Sequence, residues 1–232
     1  MATQQTLLTA SSHKVEVTNT YQTQYLVKIL YLSPYREAGH NTCPFASEGC
    51  IAVCLRYSGL MAMPNSMKAR IRRTQWLYGN RQAFLAKLDC EIAAHTRKAT
   101  KLGLKPAIRL NGTSDICWEH IRINGQTIFD LHPTVMFYDY TKFPIAARRN
   151  LPANYYLCQS HSEDQPDVDV SQRNLAVVFH GTALPATWQG APVIDGTKHD
   201  LRFLDPQGVI VGLLALGKAR RDTSGFVVRL AA

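Results

Sequence analysis

The chain lacks what a membrane-spanning or secreted protein needs. None of its 232 residues belong to a run near the roughly 20 apolar residues that cross a bilayer, since the longest apolar stretches are residues 25–32, 174–179 and 209–216. The opening MATQQTLLTASSHKVEV has no early positive charge and no apolar h-region, so no secretory signal and no membrane partner are expected, and the expected location is cytoplasmic. Six cysteines are too few for a disulfide scaffold. No GxxxxGK[ST], HExxH or GxSxG run occurs, which leaves P-loop ATP hydrolysis, zincin proteolysis and nucleophile-elbow chemistry without support. Acids are also scarce. Lys plus Arg number 26 against 17 Asp plus Glu, a net charge of +9. Residues 68–109 hold eleven bases and two acids, so that segment alone carries a charge as large as the whole chain's. Such a basic segment suits a nucleic-acid partner, or else forms a solvated helix face.

What is present is enough for a folded core, because 46% of residues are hydrophobic and only 19% charged. Residues 1–24 are rich in Thr, Gln and Ser and read as an arm or edge strand. Residues 24–33, QYLVKILYLS, are β-branched and aromatic and stop at Pro34, which predicts a buried strand. Helical spacing runs from Pro64 to Gly103, with a break near Gly79. Further strands are predicted at 105–110, 134–138, 155–159, 175–179, 192–194, 202–204 and 208–214, with short helices at 118–123 and 143–150. Asp195-Gly196 reads as a hairpin turn. Strands alternating with helical segments imply an α/β fold of mostly parallel strands, a full or partial (βα) barrel, in a single domain over residues 25–232.

Each predicted strand ends in a polar cluster. Residues 105–110 lead to Asn111, Ser114 and Asp115. Residues 134–138 lead to Asp139 and Lys142. Residues 155–159 lead to Ser160 and Ser162, and residues 175–179 lead to His180. In parallel α/β folds these ends converge on one face, where ligands bind.

The densest chemistry lies in the loop at residues 40–54, HNTCPFASEGCIAVC, with Cys43, Cys50 and Cys54 spaced C-x6-C-x3-C. Three thiolates in one loop can hold a soft metal centre. With His40 as a fourth ligand the set would suit tetrahedral zinc. With three ligands alone it would suit a 4Fe-4S cluster that keeps one iron open. Cys90, Cys117 and Cys158 are far apart and read as small apolar residues.

The stretches KILYLSP and NTCPFASEGCIAVC resemble the opening of radical-SAM-like phage proteins, the family named after mycobacteriophage gene product eighty-eight. The segments RLNGTSD, ending at Asp115, and FYDYTK, ending at Lys142, are similar to that family's next strand ends. The resemblance implies a 4Fe-4S cluster on Cys43, Cys50 and Cys54, S-adenosylmethionine at the open iron, and an electron donor as partner. It also implies a location in the cytoplasm of a bacterial host. Under it, Asp115, Asp139, Lys142 and His180 are candidate catalytic residues, and Asn111, Ser114, Ser160 and Ser162 are candidate cofactor contacts. The chain departs from the usual radical-SAM pattern: its cysteine gaps are longer than C-x3-C-x2-C, and no Gly-Gly-Glu follows the second strand. Two functions are therefore carried forward. One is an enzyme that cleaves S-adenosylmethionine reductively and acts on a substrate that includes nucleic acid as a candidate. The other is a non-catalytic nucleic-acid-associated protein with a structural zinc or iron-sulfur centre, its basic residues 68–109 lying on phosphate.

Overall fold

The computed structural model describes residues 6–9, 13–20, 23–165, 169–171 and 173–230. In chain order the strands are β1 (Leu8–Thr9), β2 (Tyr25–Leu30), β3 (Lys105–Arg109), β4 (Arg122–Ile123), β5 (Gln126–Thr127), β6 (Met136–Thr141), β7 (Tyr155–Ser160), β8 (Leu175–Phe179), β9 (Thr187–Trp188), β10 (Ala191–Asp195), β11 (Ile210–Leu214) and β12 (Val227–Val228). The α-helices are α1 (His13–Thr20), α2 (Glu48–Ala52), α3 (Pro64–Gly79), α4 (Arg81–Lys101) and α5 (Ile128–Leu131).

Ten strands form one mostly parallel sheet in the order β1-β2-β3-β6-β7-β8-β11-β10-β9, with β12 beside the end of β8. The sheet is open, which corrects the full-barrel alternative while the mostly parallel α/β expectation holds. Its two edges, β1 and β9, are antiparallel strands of two residues each. Strands that short leave few unpaired backbone groups for closure or for pairing with another chain. The helical cover is also incomplete, because only short 3-10 turns, such as Ile145–Ala147, stand between β6 and β7.

Helices α3 and α4 cover one face of the sheet. Phe84, Leu85, Leu88 and Ile92 of α4 are buried against Leu30, Ile108, Leu110 and Phe137. Burial of each such side chain contributes about 1.5–3 kcal/mol. His95 bonds the Leu26 carbonyl at 3.0 Å, fixing α4 on β2, and burial depresses its pKa to about 4. The helix break falls at Asn80, whose side chain accepts from the Ala83 N–H and caps α4.

The opposite face holds Val27, Ile29, Ala107 and Tyr138 under Val15 of α1 and Leu201. Pleating sends alternate residues to opposite faces, so Arg109 and Tyr140 also point to this inner side, where Asp200 meets both. The N-terminal arm is an edge strand and a helix where it is described. Leu7 and Leu8 are fully buried, and their N–H groups bond the Glu91 carboxylate at 2.8–3.1 Å. Residues 1–5, 10–12 and 21–22 of this arm lie outside the described residues.

Four other expectations change. The strand expected at 134–138 runs from Met136 to Thr141. Residues 202–204 form a 3-10 turn rather than a strand. The helices expected at 118–123 and 143–150 shrink to 3-10 turns. No hairpin forms at Asp195-Gly196, because β10 pairs parallel with β11.

Candidate functional site

β2 ends at Leu30, and the cysteine loop follows Pro34. The loop is tied down at several points. Thr42 donates its hydroxyl to the Ser33 carbonyl at 2.5 Å, and the Thr42 carbonyl accepts from the Asp115 N–H at 2.8 Å. The Tyr35 N–H points at Cys43 Sγ, 3.3 Å away, and the Asn41 side chain accepts from the Cys43 N–H. Ser47 then caps α2 by accepting from the Cys50 N–H. Glu163, from the loop after β7, holds this cap from outside, accepting from the Ser47 hydroxyl and the Gly49 N–H, each at 2.7 Å. Gly49 is required by close approach, since a Cβ there would lie 2.1 Å from Ser224 Oγ.

These ties bring Cys43, Cys50 and Cys54 to the wall of one cavity of about 370 Å³. Its other walls are the C-terminal ends of the parallel strands. The β3 end contributes Asn111, Ser114 and Asp115, the β6 end Tyr140 and Lys142, and the β7 end Ser160. The polar clusters that end β3, β6 and β7 thus meet at one cavity, at the C-terminal ends of parallel strands.

The side chains differ in what they leave free. Asn111 is saturated: its Oδ1 accepts from the Ser114 hydroxyl, the Ile116 N–H and Trp118 Nε1, and its amide donates to the Ile116 carbonyl and to Asp139. It shapes the β3 end. Asp115 accepts from the Lys142 N–H at 2.8 Å through Oδ2, while its Oδ1 is buried without a hydrogen-bond partner. Burial raises the Asp115 pKa, against the pull of that Lys142 N–H. Lys142 donates to Ser160 Oγ at 3.2 Å and stands beside Cys50.

Burial raises the pKa of all three thiols. Cys43 is pushed up to about 11. For Cys50 the Lys142 charge opposes the shift, and for Cys54 the Arg56 N–H does. Cys54 lies close enough to both other thiols to interact with each electrostatically. Among the described residues, however, no group of three or more His, Cys, Asp or Glu side chains is gathered tightly enough to hold a metal ion. Three thiolates at about 2.3 Å from one tetrahedral zinc come within about 4 Å of each other. In a 4Fe-4S cluster each thiolate binds a different iron, so the sulfurs stand farther apart. The three thiols match a cluster in donor type alone, and as they stand they are not gathered around a single ion.

The far end of the cavity is built from residues that the sequence reading did not single out as a site. Arg109 donates to Asp200 at 2.9 Å, and the Tyr138 and Tyr140 hydroxyls also reach Asp200, at 3.4 and 3.3 Å. The Arg109 guanidinium lies 4.6 Å from the Tyr140 ring centre. Burial works against the Arg109 charge, but Asp200, Tyr140, Asp139 and Tyr138 together outweigh it and raise the Arg109 pKa. The signal for Arg109 was a lone charge inside the apolar run PAIRL.

Four candidates do not reach the cavity. Asp139 is fully buried beneath it, its oxygens accepting from the Asn111 N–H and the Tyr155 hydroxyl, and burial pushes its pKa up to about 7. Ser162 sits in a turn with Gln165. His180 lies off the cavity, its N–H bonded to the Val228 carbonyl. His40 is exposed, stacks on Tyr78 at 4.1 Å and does not line the cavity. The basic segment is also divided. Arg70 and Arg109 are buried and paired with Glu37 and Asp200, while Lys68, Arg72, Arg81, Arg97, Lys98, Lys101 and Lys105 are exposed.

A family model described as gene product 88 matches residues 3–230, nearly the whole chain. No curated protein and no solved structure matches.

Proposed function

The chain belongs to the gene product 88 family, a family of phage gene products, and we propose that it is a radical-SAM-like iron-sulfur enzyme of the bacterial cytoplasm. One observation carries the reading. Three thiols with no disulfide partner share one wall of a cavity built on the ends of parallel strands. Cys43, Cys50 and Cys54 would hold a 4Fe-4S cluster. When bound, such a cluster supplies one electron for the reductive cleavage of S-adenosylmethionine, and it draws that electron from an external donor.

The remaining work belongs to the chain's own residues. Glu163 and Ser47 fix the turn that presents Cys50. Lys142 places a positive charge beside Cys50, which favours its thiolate over its thiol. Arg56 and Arg70 do the same for Cys54. Asp115 lines the same cavity with a carboxyl group held by the Lys142 N–H, the kind of group that suits a bound amine. Ser114 and Ser160 add hydroxyls to the same wall. Val53, Leu213 and Phe226 supply apolar walls that exclude water from the reacting group.

Equilibrium dialysis with labelled S-adenosylmethionine tests the reading. Protein reconstituted with iron and sulfide under anaerobic conditions should bind it and release methionine on reduction by dithionite. The Asp115→Ala variant should bind it more weakly while keeping its iron. Reconstituted protein that holds a cluster but neither binds nor cleaves S-adenosylmethionine would overturn the enzyme reading.

A further inference from the structure

We propose that the mouth of the cavity is a docking surface for single-stranded nucleic acid, with phosphates on Arg56, Lys218, Arg220 and Arg221 and one nucleotide admitted to the cavity. The inference deepens the reading above and rests on it in taking the cavity as the place of reaction.

Two segments form this part of the rim. Residues 54–57 follow the last thiol, and residues 216–221, LGKARR, follow β11. They abut each other. Lys218 Nζ sits 3.6 Å from the Tyr57 ring centre and the Arg56 guanidinium 4.6 Å from it, while a Cβ on Gly217 would lie 2.5 Å from Ser58 Oγ. Together the segments carry four cations and no carboxylate. Lys218, Arg220 and Arg221 are exposed, and Arg56 shares Glu37 at 3.9 Å. A cluster of one sign at the edge of a low-dielectric cleft focuses its field on the opening and draws in a polyanion.

The apolar residues here edge a hole rather than a flat face. Leu55 and Leu216 are both about half exposed and both line the cavity. That arrangement suits a planar group passing between them better than a lipid surface or a broad protein interface. A base must leave its stack to enter such a cavity, which costs least from a single strand.

The test is fluorescence anisotropy with a labelled oligonucleotide of about 15 residues, titrated from 50 to 200 mM salt. For about four phosphate contacts on a single strand, affinity should fall about 50-fold across that range. In Lys218→Ala/Arg220→Ala/Arg221→Ala it should fall only about 3-fold. Lys98→Ala/Lys101→Ala, at the end of α4 and off the cavity, should behave as wild type. Arg221→Glu is the second rim variant, and it should bind more weakly while keeping the wild-type circular dichroism. Equal salt dependence in wild type and the triple rim variant would overturn the proposal. So would tighter binding of a duplex of the same sequence, or oligonucleotide displaced by polyglutamate or anionic phospholipid vesicles at equal charge. The binding is measured without added iron, so its failure leaves the iron-sulfur reading standing, and loss of iron from the cysteine variants leaves this one standing.

Discussion

Replacing Glu163 by Gln should loosen the cysteine loop without disturbing the sheet. Glu163 is the brace for Ser47 and Gly49, accepting a hydrogen bond from each at 2.7 Å. The amide keeps the shape but turns one acceptor into a donor, so one charge-assisted bond is lost. Such bonds contribute about 1.5–3 kcal/mol each. Glu163 is only partly buried, and water replaces some of the loss, which places the effect near the lower value. At about 1.4 kcal/mol per factor of ten, local opening becomes about 10- to 30-fold more frequent. Hydrogen exchange of the Gly49 N–H reads this opening directly and is indifferent to thiol ionisation. The expected result is exchange about 10- to 30-fold faster at Gly49 and unchanged at core amides such as Ile108 and Val177. Gly49 exchange within twofold of wild type would refute the assignment of Glu163 as the brace.

Three further outcomes follow from the same geometry. In the metal-free protein, burial raises the Cys43 pKa to about 11, so its alkylation by iodoacetamide should climb about tenfold per pH unit from 7 and still be climbing at pH 10; a plateau by pH 8.5 would contradict this. Since a cluster binds thiolates, loading with iron should likewise improve as pH rises through this range. Asp200→Ala strands the buried Arg109 charge and should cost about 3–5 kcal/mol in urea unfolding, with most of it regained in Arg109→Met/Asp200→Leu; a single variant as stable as wild type would show the pair to be unimportant. Gly112→Ala places a Cβ 2.8 Å from the Leu30 carbonyl and 2.6 Å from Tyr31, so thermal unfolding should show a loss of about 1–3 kcal/mol or more, and a neutral variant would refute the close approach of the β2 and β3 ends.

Much of the parallel sheet was legible because its strands are buried on both faces and read as continuous apolar runs. The runs at 105–110, 155–159, 175–179 and 208–214 match β3, β7, β8 and β11 within a residue or two. The run at 134–138 misled because β6 continues through polar residues. Asp139, Tyr140 and Thr141 stay in the sheet because Asn111, Asp200 and Arg148 satisfy them from other elements. The pleat explains the misplaced role of Asp139: its neighbours Tyr138 and Tyr140 face inward, so Asp139 faces the other way, under Asn111. Helix α1 has little apolar periodicity of its own, and it stands because Val15 packs on the inner face and Thr18 accepts from the Asp200 N–H. Residues 202–204 resemble a strand because Phe203 is apolar, but Phe203 packs against Tyr25 and Tyr138 and the segment does not pair as a strand. In the site, the three cysteines and Asn111, Ser114, Asp115, Lys142 and Ser160 were legible from their position just after strands. Arg109 and Asp200 were hidden because their pairing spans 91 residues, and no local pattern announces it.

Iron and sulfide content after anaerobic reconstitution, measured for the wild type and for Cys43→Ala, Cys50→Ala and Cys54→Ala, tests the three-thiol centre most directly. The account predicts about four irons and four sulfides per wild-type chain. It predicts a near-complete loss in each of the three variants and none in Cys90→Ala or Cys117→Ala. Wild-type protein that retains no sulfide, or a Cys43→Ala variant that keeps as much iron as the wild type, would contradict it.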